Sequence, residues 1–438
     1  MHRFKKWLGN LGILFALAIG LVVWTLLPWY GVAAIAALLT LWLILARSGR
    51  LALAAAQIGI GSLPQRWGAS SVIVIGIAGV VGVLVAMLAM GEGFQATLKQ
   101  TGGDDTAIIL RGGSQAETNS VITRDQIPLI SGLAGIAQGA DGHPLLSPEL
   151  SQVINLPSKS DGTDANVQLR GVGPQSWALR PNVKIIAGRK FGAGLRELVV
   201  GQGAQRQFVG LDLGKQIKLA NQQWSIVGVF ASGDSHDSEL WGDAEVVAPA
   251  YQRIAFQSVT VKLAGKDGFR QLKAALAADP RLKLDAQTTA DYYAKQSEGL
   301  TRLIRVLGTV IGTIMAIGAV FGALNTMYAA VAGRAREIAT MRALGFRGLP
   351  VVIAVMLETM LLALLGGLLG AGIAWLIFNG YTVSTLGNNF SQVVFQFKVS
   401  PALLWEGLKW ALAIGLVGGL FPAMRAARMP VTQALMSA

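Results

Sequence analysis

Long apolar stretches alternate with polar segments along the chain, and six of these stretches are long enough to be considered as membrane spans. A bilayer core about 30 Å thick needs about 20 mostly apolar residues in a helix. The six stretches are residues 8–27, 31–46, 70–91, 303–330, 350–377 and 403–422. This pattern predicts an α-helical transmembrane bundle.

The first two stretches are joined by a short turn, Pro28-Trp29-Tyr30, which favours a two-span hairpin. A signal peptide is the alternative for residues 1–27, because basic residues precede an apolar core. No small-residue cleavage site follows, however, and a second apolar stretch does. The sequence therefore predicts an extra N-terminal hairpin before a four-span core.

Basic residues are concentrated in the segments on one side of the predicted bundle. Residues 1–10, 47–68, 331–349 and the C-terminal tail hold twelve Lys and Arg residues and one acid, Glu337. The positive-inside rule then places both termini in the cytoplasm. Only 14% of the 438 residues are charged, so the net charge of +13 indicates topology, and nucleic acid is not an expected partner.

A polar block of about 209 residues, 92–300, separates the third and fourth stretches, and its 21 basic and 21 acidic residues cancel. Alternation places it outside the cytoplasm, and its length indicates one or two folded domains. Helical spacing occurs at 123–135 and 267–278. Alternating apolar runs predict six strands, at Ala107–Leu110, Val167–Leu169, Glu197–Val200, Ile217–Leu219, Trp224–Phe230 and Val259–Leu263. The block is thus expected to be α+β.

Turn residues subdivide this block. Asn221-Gln222 is predicted as a hairpin turn, and the Gly, Pro, Ser and Asp residues of 141–165 indicate an internal boundary before a β-rich part at about 150–250. After the block, no proline or turn cluster occurs from Ala290 to Val331, which predicts one helix about 63 Å long. Such a helix would act as a stalk that carries the outer domain.

The predicted organisation assigns every part of the chain to a segment. In chain order these are the N-terminal hairpin 1–47, an interfacial helix 48–69, span 70–91, the outer domain 92–300, span and stalk 301–332, a cytoplasmic helix 333–349, span 350–377, an outer loop 378–402, span 403–424 and a cytoplasmic tail 425–438.

Small residues at four-residue spacing recur within the predicted spans, and such pairs let helix backbones approach closely in lipid. The pairs are Gly308/Gly312, Gly318/Gly322, Gly366/Gly370 and Gly415/Gly419. Two polar residues, Asn325 and Glu358, also lie within spans. For Glu358 an ion pair with an arginine of residues 334–347 is favoured over a proton relay, which would need further acids.

The strongest local pattern is cytoplasmic. It comprises Arg334, Arg336, Glu337, Ile338, Met341, Arg342, Ala343, Leu344 and Gly345. Ile338, Met341 and Leu344 have helical spacing, and Gly345 is suited to end the helix. Binding to the lipid surface is one interpretation, and docking of a cytoplasmic partner is the other.

No catalytic or metal site is predicted. The nearest approach to a phosphate-binding loop, Gly210 to Gln216, has a spacer one residue short and ends in Gln where Ser or Thr is needed. Six residues from Asp234 to Glu245 could suggest a metal site, but their spacing matches no EF-hand and they include only one histidine, so a solvated acidic loop is favoured. The chain contains no cysteine, so thiolate chemistry is excluded.

Several of these motifs together resemble the MacB/FtsX/LolC-type permeases of ABC transporters. The resemblance covers about residues 50–438. It rests on Gly322-Ala-Leu-Asn325-Thr-Met327, the segment Arg334–Gly345, Glu358, Gly366-Gly367-x-x-Gly370 and the tail from Pro422 to Leu435, with Ala187-Gly188-Arg189, Val199-Val200-Gly201, Leu213-Gly214-Lys215 and Ile226-Val227-Gly228-Val229 in the outer domain.

The resemblance implies a bacterial inner-membrane protein with a four-span core and a large periplasmic α+β domain on stalk helices. It implies that residues 334–345 form the coupling helix that rests on a separate ABC ATPase dimer, which holds ATP and Mg²⁺. A second permease chain is the expected partner, as a homodimer or with a related permease, together with membrane lipid. A periplasmic adaptor and an outer-membrane channel are further expected partners.

Two functions follow as hypotheses. The first is a non-enzymatic permease that transmits ATP-driven motion to the periplasm for export of a substrate. The second is a regulator of periplasmic cell-wall hydrolases of the FtsX kind. A membrane-anchored enzyme is disfavoured, because the outer domain offers no catalytic constellation.

Overall fold

The computed structural model describes residues 23–24, 27–346, 348–387 and 391–429. These residues fall into two compact units. One, the helical unit, draws on Met1–Ala89, Ile304–Asn379 and Lys398–Ala438, and the other, the sheet unit, on Met90–Leu303 and Gly380–Phe397. Most of the first predicted span, 8–27, and the whole of the tail after 429 lie outside the described residues.

Twelve α-helices occur in the described part of the chain. They are α1 Trp29–Leu45, α2 Arg47–Gly61, α3 Trp67–Thr101, α4 Gln126–Ser131, α5 Ser176–Leu179, α6 Gln202–Gln207, α7 Ala244–Ala250, α8 Gly268–Ala278, α9 Thr289–Gly333, α10 Ala335–Ala343, α11 Gly348–Phe378 and α12 Pro401–Arg428.

Four of the described helices, α3, α9, α11 and α12, are long and apolar enough to cross a bilayer. Each contains one of the predicted core spans and extends beyond it, because backbone hydrogen bonding continues where the apolar window ends. Helix α9 is continuous over 45 residues, as the lack of helix breakers predicted.

The N-terminal part of the helical unit contains a sharp bend. Helices α1 and α2 meet at Ala46 with an angle of 97°. Together the two helices are long and apolar enough to form one bent span. Helix α1 covers the predicted stretch 31–46, while α2 and a short 3₁₀ turn, Pro64–Arg66, occupy the predicted interfacial segment. The hairpin formed with residues 8–27 stays a prediction.

The sheet unit contains ten strands of one sheet and a separate hairpin. The strands are β1 Thr106–Arg111, β2 Leu146–Pro157, β3 Asp164–Val172, β4 Lys184–Gly188, β5 Glu197–Gly201, β6 Gln216–Leu219, β7 Gln222–Ala231, β8 Glu239–Asp243, β9 Ser258–Lys262, β10 Leu284–Thr288, β11 Thr382–Leu386 and β12 Gln392–Gln396. The sheet order is β10-β1-β9-β2-β3-β8-β5-β7-β4, with β6 also paired to β7.

Strand β2 joins two hydrophobic cores. Its first four residues pair with β9, and Leu150–Pro157 pairs with β3. One core packs α8 against β1, β9 and β10, and the other packs α6 and α7 against β2, β3 and β5–β8. The segment 141–165, predicted as an internal boundary, contains all of β2, a strand that the sequence did not predict. Its Ser147, Glu149 and Ser151 are buried, so a hydropathy pattern could not identify the strand. The boundary itself stays a prediction.

Three smaller predictions also need correction. The helix expected at 123–135 is limited to α4, since Pro128 and Gly132 shorten it. The β6–β7 turn lies one residue earlier than predicted, at Ala220-Asn221, where both residues have positive φ (47° and 61°). The expected loop 378–402 contains the β11–β12 hairpin, whose alternating Gln392–Gln396 pairs with Thr382–Leu386.

Candidate functional site

Helix α10 contains most of the residues predicted to dock a cytoplasmic partner. Arg334 precedes the helix, and Gly345 follows it in the left-handed conformation with φ of 97°. The Gly345 amide donates to the Arg342 carbonyl and the Phe346 amide to the Met341 carbonyl, both at 3.1 Å. This is a Schellman motif, so the predicted role of Gly345 in ending the helix is confirmed.

The two faces of α10 differ in exposure. Ile338 and Ala339 are buried, at 3% exposure each. The exposed set comprises Arg336, Glu337, Thr340, Ala343, Leu344 and Gly345. Leu344 is 75% exposed and is the one large apolar side chain in this exposed set.

Glu358 is a carboxylate within the apolar helix α11, and its side chain is only 4% exposed. Arg66 donates to one carboxylate oxygen at 3.2 Å, and Arg334 to the other at 3.1 Å. Arg334 also bonds Glu337 of α10 at 2.8 Å. The ion pair predicted between Glu358 and an arginine of 334–347 is therefore confirmed. We call these four residues, Arg66, Arg334, Glu337 and Glu358, the arginine–glutamate cluster.

The cluster is electrically balanced, with two cations and two anions. Isolated charges in an apolar helix are costly, whereas paired and hydrogen-bonded ones are tolerated. Breaking one pair would leave an uncompensated charge. The ion pairs of the cluster therefore hold the N-terminal end of α10 against α11 and against the 3₁₀ turn that precedes α3.

Helix α2 packs directly against this cluster. A Cβ atom at Gly59 would lie 2.8 Å from Glu358 Oε2 and 3.1 Å from Arg334 Nη1. Ala55 and Ala56 of α2 form a small core with Ala354. Met341 and Phe346, at the C-terminal end of α10, pack on the same core, so α2 supports α10 at both ends.

A further contact ties α10 to α12. The Arg342 guanidinium donates to the backbone carbonyl of Met429, immediately after α12. Helix α10 is thus held by α2, α11 and α12, and only its outer face remains exposed. Sequence reasoning missed Arg66 and Gly59. In the sequence Arg66 is one of several basic residues before the span 70–91, and nothing in the pattern distinguishes it or Gly59 as a contact of Glu358.

The four predicted glycine pairs have different environments. Gly366 and Gly370 lie against the α3 backbone, where added Cβ atoms would be 2.8 Å from the Val74 carbonyl oxygen and 2.3 Å from that of Ala78. Gly415 and Gly419 of α12 pack on Ala363 and Thr359 of α11. Gly308 and Gly312 of α9 face Met87 and Leu84 of α3.

For the fourth pair, Gly318 and Gly322, no atom of the described residues lies within 4 Å of an added Cβ atom. Asn325 lies one turn further along α9 and is exposed as well. The structure therefore uses three of the four pairs for packing inside the chain.

The sheet unit contains a second charged cluster, which the sequence did not indicate. Arg170 of β3 is 2% exposed and uses all five of its N–H groups. Its partners are Glu117, Glu149 and Glu239, at 2.8–3.1 Å. Arg180 adds a two-bond contact to Glu149 at 2.7 and 2.9 Å. We call these five residues the Arg170 network.

Burial and the neighbouring arginine charges shift the pKa values of these carboxylates in opposite directions. Burial raises the pKa of Glu149, but the charges of Arg180 and Arg170 lower it by more, to about 2. Glu239 behaves similarly, since burial opposes and Arg170 favours its ionised form, and its pKa is lowered. Trp241 donates to Glu239 at 2.7 Å and Ser258 to Glu117 at 2.6 Å, so the network is extensively hydrogen-bonded.

The expected solvated acidic loop near residue 234 is wrong for most of its members. Asp234, His236 and Glu239 are buried, at 3%, 1% and 5% exposure. Asp234 accepts from the His236 amide and contacts its Nδ1, both at 2.9 Å. These side chains form part of the folded core, where Asp234 pairs with His236 and Glu239 pairs with Arg170.

The fold and the two clusters define a multi-span membrane protein with a large mixed α/β domain inserted between its first and second core helices. Residues 70–279 match a family model described as MacB-like periplasmic core domain. Residues 309–431 match one described as FtsX-like permease C-terminal. The chain belongs to the MacB/FtsX-type permeases of ABC transporters.

Individual relatives agree with this assignment. The ABC transporter permease YknZ of Bacillus subtilis is 25% identical over 391 residues, covering 82% of this chain and 93% of YknZ. The macrolide export ATP-binding/permease protein MacB of Neisseria gonorrhoeae is 25% identical over 394 residues, covering 83% of this chain and 57% of MacB.

A solved structure of part of a relative was also found. The periplasmic region of MacB from Actinobacillus actinomycetemcomitans has a TM-score of 0.34 and 15% identity, and the match covers 45% of this chain and 94% of that one.

Proposed function

We propose that this chain transmits ATP-driven motion from a separate cytoplasmic ABC ATPase dimer to its periplasmic domain, as one subunit of an export system. The observation that carries the proposal is the anchoring of α10. Arg334 joins Glu337 of α10 to the buried Glu358 of α11, so a force on the exposed face of α10 reaches a membrane-spanning helix through short ionic contacts.

The exposed face of α10 supports the assignment of its partner. Arg336 and Thr340 lie one turn apart, and Leu344 lies one turn further on. Lipid binding would favour a continuous apolar face on the helix. The exposed face of α10 instead combines a cation, Arg336, with a single exposed leucine, Leu344, which suits a groove in a folded protein better. ATP and Mg²⁺ belong on that partner in this proposal.

The remaining assignments extend the proposal. The positive-inside pattern supports an inner-membrane location with both termini in the cytoplasm. The name of the Neisseria protein supports export as the direction of transport. A periplasmic adaptor and an outer-membrane channel are further partners in this proposal. A second permease chain completes the assembly.

Substitutions on the α10 surface test the proposal. Full-length tagged chain would be purified from its native membranes, and the ABC ATPase that co-purifies would be quantified by mass spectrometry and by ATP hydrolysis. Arg336→Ala with Leu344→Ser is expected to lower recovery of the ATPase about tenfold or more, since interface anchors of this kind dominate binding.

Arg50→Ala is the matched control, because Arg50 is also an exposed arginine of the basic segments but lies on α2. The control is expected to retain the ATPase. Full retention of the ATPase and its activity by the α10 variant would show that α10 is not the docking helix. Recovery of a cell-wall hydrolase without an adaptor would instead favour the FtsX-like alternative.

A further inference from the structure

Helix α2 packs on the rest of the helical unit with one side only. The residues buried on that side are all small: Gly49, Ala52, Ala55, Ala56 and Gly59. The opposite side is exposed and carries two arginines and four large aliphatic residues, Arg47, Arg50, Leu51, Leu53, Ile58 and Ile60. We call these six residues the α2 arginine face.

The two arginines of this face lack a counter-ion in the described part of the chain. Neither Arg47 nor Arg50 forms an ion pair or a side-chain hydrogen bond there. The third arginine of the segment, Arg66, is instead paired with Glu358 at 3.2 Å. Residues 47–66 contain no acidic side chain. The face therefore carries two uncompensated positive charges, which attract anions.

The bend between α1 and α2 indicates the depth of this face in the membrane. Helix α1 has 17 residues and no charge, so it is about 25 Å long and spans most of a hydrocarbon core about 30 Å thick. It begins with Trp29 and Tyr30, each 65% exposed, which are residue types common at membrane interfaces. Arg47 follows its other end and thus reaches the opposite head groups. Because α2 turns by 97° there, it runs along the membrane surface.

The aliphatic residues of the face flank its charges on both sides. At 100° per residue, Leu51 and Ile58 lie 20–40° from Arg47 around the helix, and Leu53 and Ile60 lie 60–80° from Arg50 in the other direction. All four are between 36% and 54% exposed. Contact with acyl chains would remove this apolar surface from water, as in helices that lie at the boundary between head groups and hydrocarbon.

An anionic phospholipid satisfies both parts of the face. Its phosphate accepts hydrogen bonds from guanidinium groups in a geometry that suits arginine. Its acyl chains cover the neighbouring aliphatic residues. A free anion would pair with the arginines but leave the aliphatic residues in water, and a cytoplasmic protein would have to reach into the head-group layer to cover them.

We propose that the α2 arginine face binds the head group of an anionic phospholipid, with the guanidinium groups of Arg47 and Arg50 on its phosphate. The two arginines are three residues apart, so they lie side by side on the helix surface. This binding is separate from ATPase docking, which the proposed function assigns to the exposed face of α10.

A label on α2 tests the proposal, because the chain has no cysteine of its own. Ala54→Cys places one thiol on the exposed side of α2, 20° from Arg47 around the helix. The full-length variant, labelled with bimane, is reconstituted in phosphatidylcholine nanodiscs. Quenching is then measured with rising fractions of phosphatidylglycerol or phosphatidylcholine that carry a nitroxide on the acyl chain. The two curves give the relative affinity of the site for the two lipids.

Phosphatidylglycerol is expected to be preferred about 25-fold at low salt, because each arginine near an anionic surface contributes about fivefold. Arg47→Gln with Arg50→Gln should bring the ratio close to one. Arg47→Lys with Arg50→Lys keeps the charges and should retain most of the preference. Raising the salt concentration from about 0.05 M to about 0.5 M should lower the ratio severalfold, since the charges are then screened.

Leu365→Cys is the control position for the label. Leu365 is 46% exposed and lies within α11, about 25 Å from Gly348 at the start of that helix. The label there is expected to be quenched equally by the two lipids, because no arginine of the face is near.

A ratio close to one at Ala54→Cys would overturn the proposal, and so would a ratio that neither the glutamine substitutions nor salt changes. Absence of quenching by both lipids would also contradict it, because a protein surface would then cover the face. ATPase recovery is measured on the same glutamine variant. Loss of lipid preference with the ATPase retained supports the lipid site, whereas loss of the ATPase would show that Arg47 and Arg50 bind that protein instead.

Discussion

Single residues determine how the helical unit holds helix α10. Glu358 could be recognised from the sequence as an acid within a span, and its pairing with an arginine could be predicted because an unpaired charge there is costly. The identity of both arginines could not be predicted, since Arg66 lies 292 residues away from Glu358 in the chain. Gly59 illustrates the same limit, because its importance depends on two side chains from other helices.

Gly59→Ala is expected to destabilise the protein, because the new methyl group would come within 2.8 Å of Glu358 and 3.1 Å of Arg334 and displace an ion pair. The expected cost is about 1 kcal/mol or more, typical of an overfilled site. Thermal unfolding of the detergent-solubilised full chain measures it.

Gly61→Ala is the control for this change. Gly61 ends the same helix and meets nothing within 4 Å, so the substitution should leave stability unchanged or raise it slightly. Equal unfolding temperatures for the two variants would show that the cluster tolerates the extra methyl group.

Helices and strands show where periodicity is informative. The four core spans and the unbroken α9 follow from apolar length and the absence of helix breakers. Strand β2 was missed because its polar residues Ser147, Glu149 and Ser151 are buried, Glu149 as a member of the Arg170 network. The hairpin β11–β12 was missed because the segment between the last two spans was expected to be a loop. The glycine spacing predicted that helices pack closely at these positions, but it did not identify which helix packs against which.

Gly370→Ala is expected to disrupt the contact between α11 and α3, because its Cβ would lie 2.3 Å from the Ala78 carbonyl oxygen, which belongs to rigid backbone. A loss of about 1–3 kcal/mol or more is expected from such overpacking. The thermal unfolding temperature in nanodiscs measures the change.

Gly372→Ala lies two residues further along α11 and meets nothing within 4 Å, so it should be tolerated. If Gly370→Ala unfolded at the same temperature as Gly372→Ala, the close approach of α3 and α11 would not contribute to stability.

At the scale of the whole molecule, the acidic groups are unevenly distributed between the two units. Outside residues 92–300 the chain has only three acidic side chains, Glu337, Glu358 and Glu406. The sheet unit contains the Arg170 network, with carboxylates whose pKa values are lowered. Stability at low pH should therefore depend mainly on the sheet unit.

Acid is expected to destabilise the sheet unit as pH falls from about 4.5 towards 2. The folded-state pKa of Glu149 is lowered to about 2, so its ionic contribution is fully present above the unfolded value and disappears as pH falls through the folded one. Fluorescence of the buried Trp241, which donates to Glu239, would report the change in the full chain.

Arg170→Met removes the cation and should weaken the unit at neutral pH while flattening its acid dependence. An unchanged acid transition in that variant would show that other groups control it.

The sequence by itself determined the four core spans, the mixed helix and strand content of residues 92–300 and the α10 segment. These follow from apolar length and local spacing, which each act over a few residues. Only the tertiary structure decided the partners of Glu358, the Arg170 network, the extent of β2 and which glycine pair has no neighbour among the described residues. Such features depend on contacts between residues far apart in sequence, and burial of matched charges hides them from any hydropathy pattern.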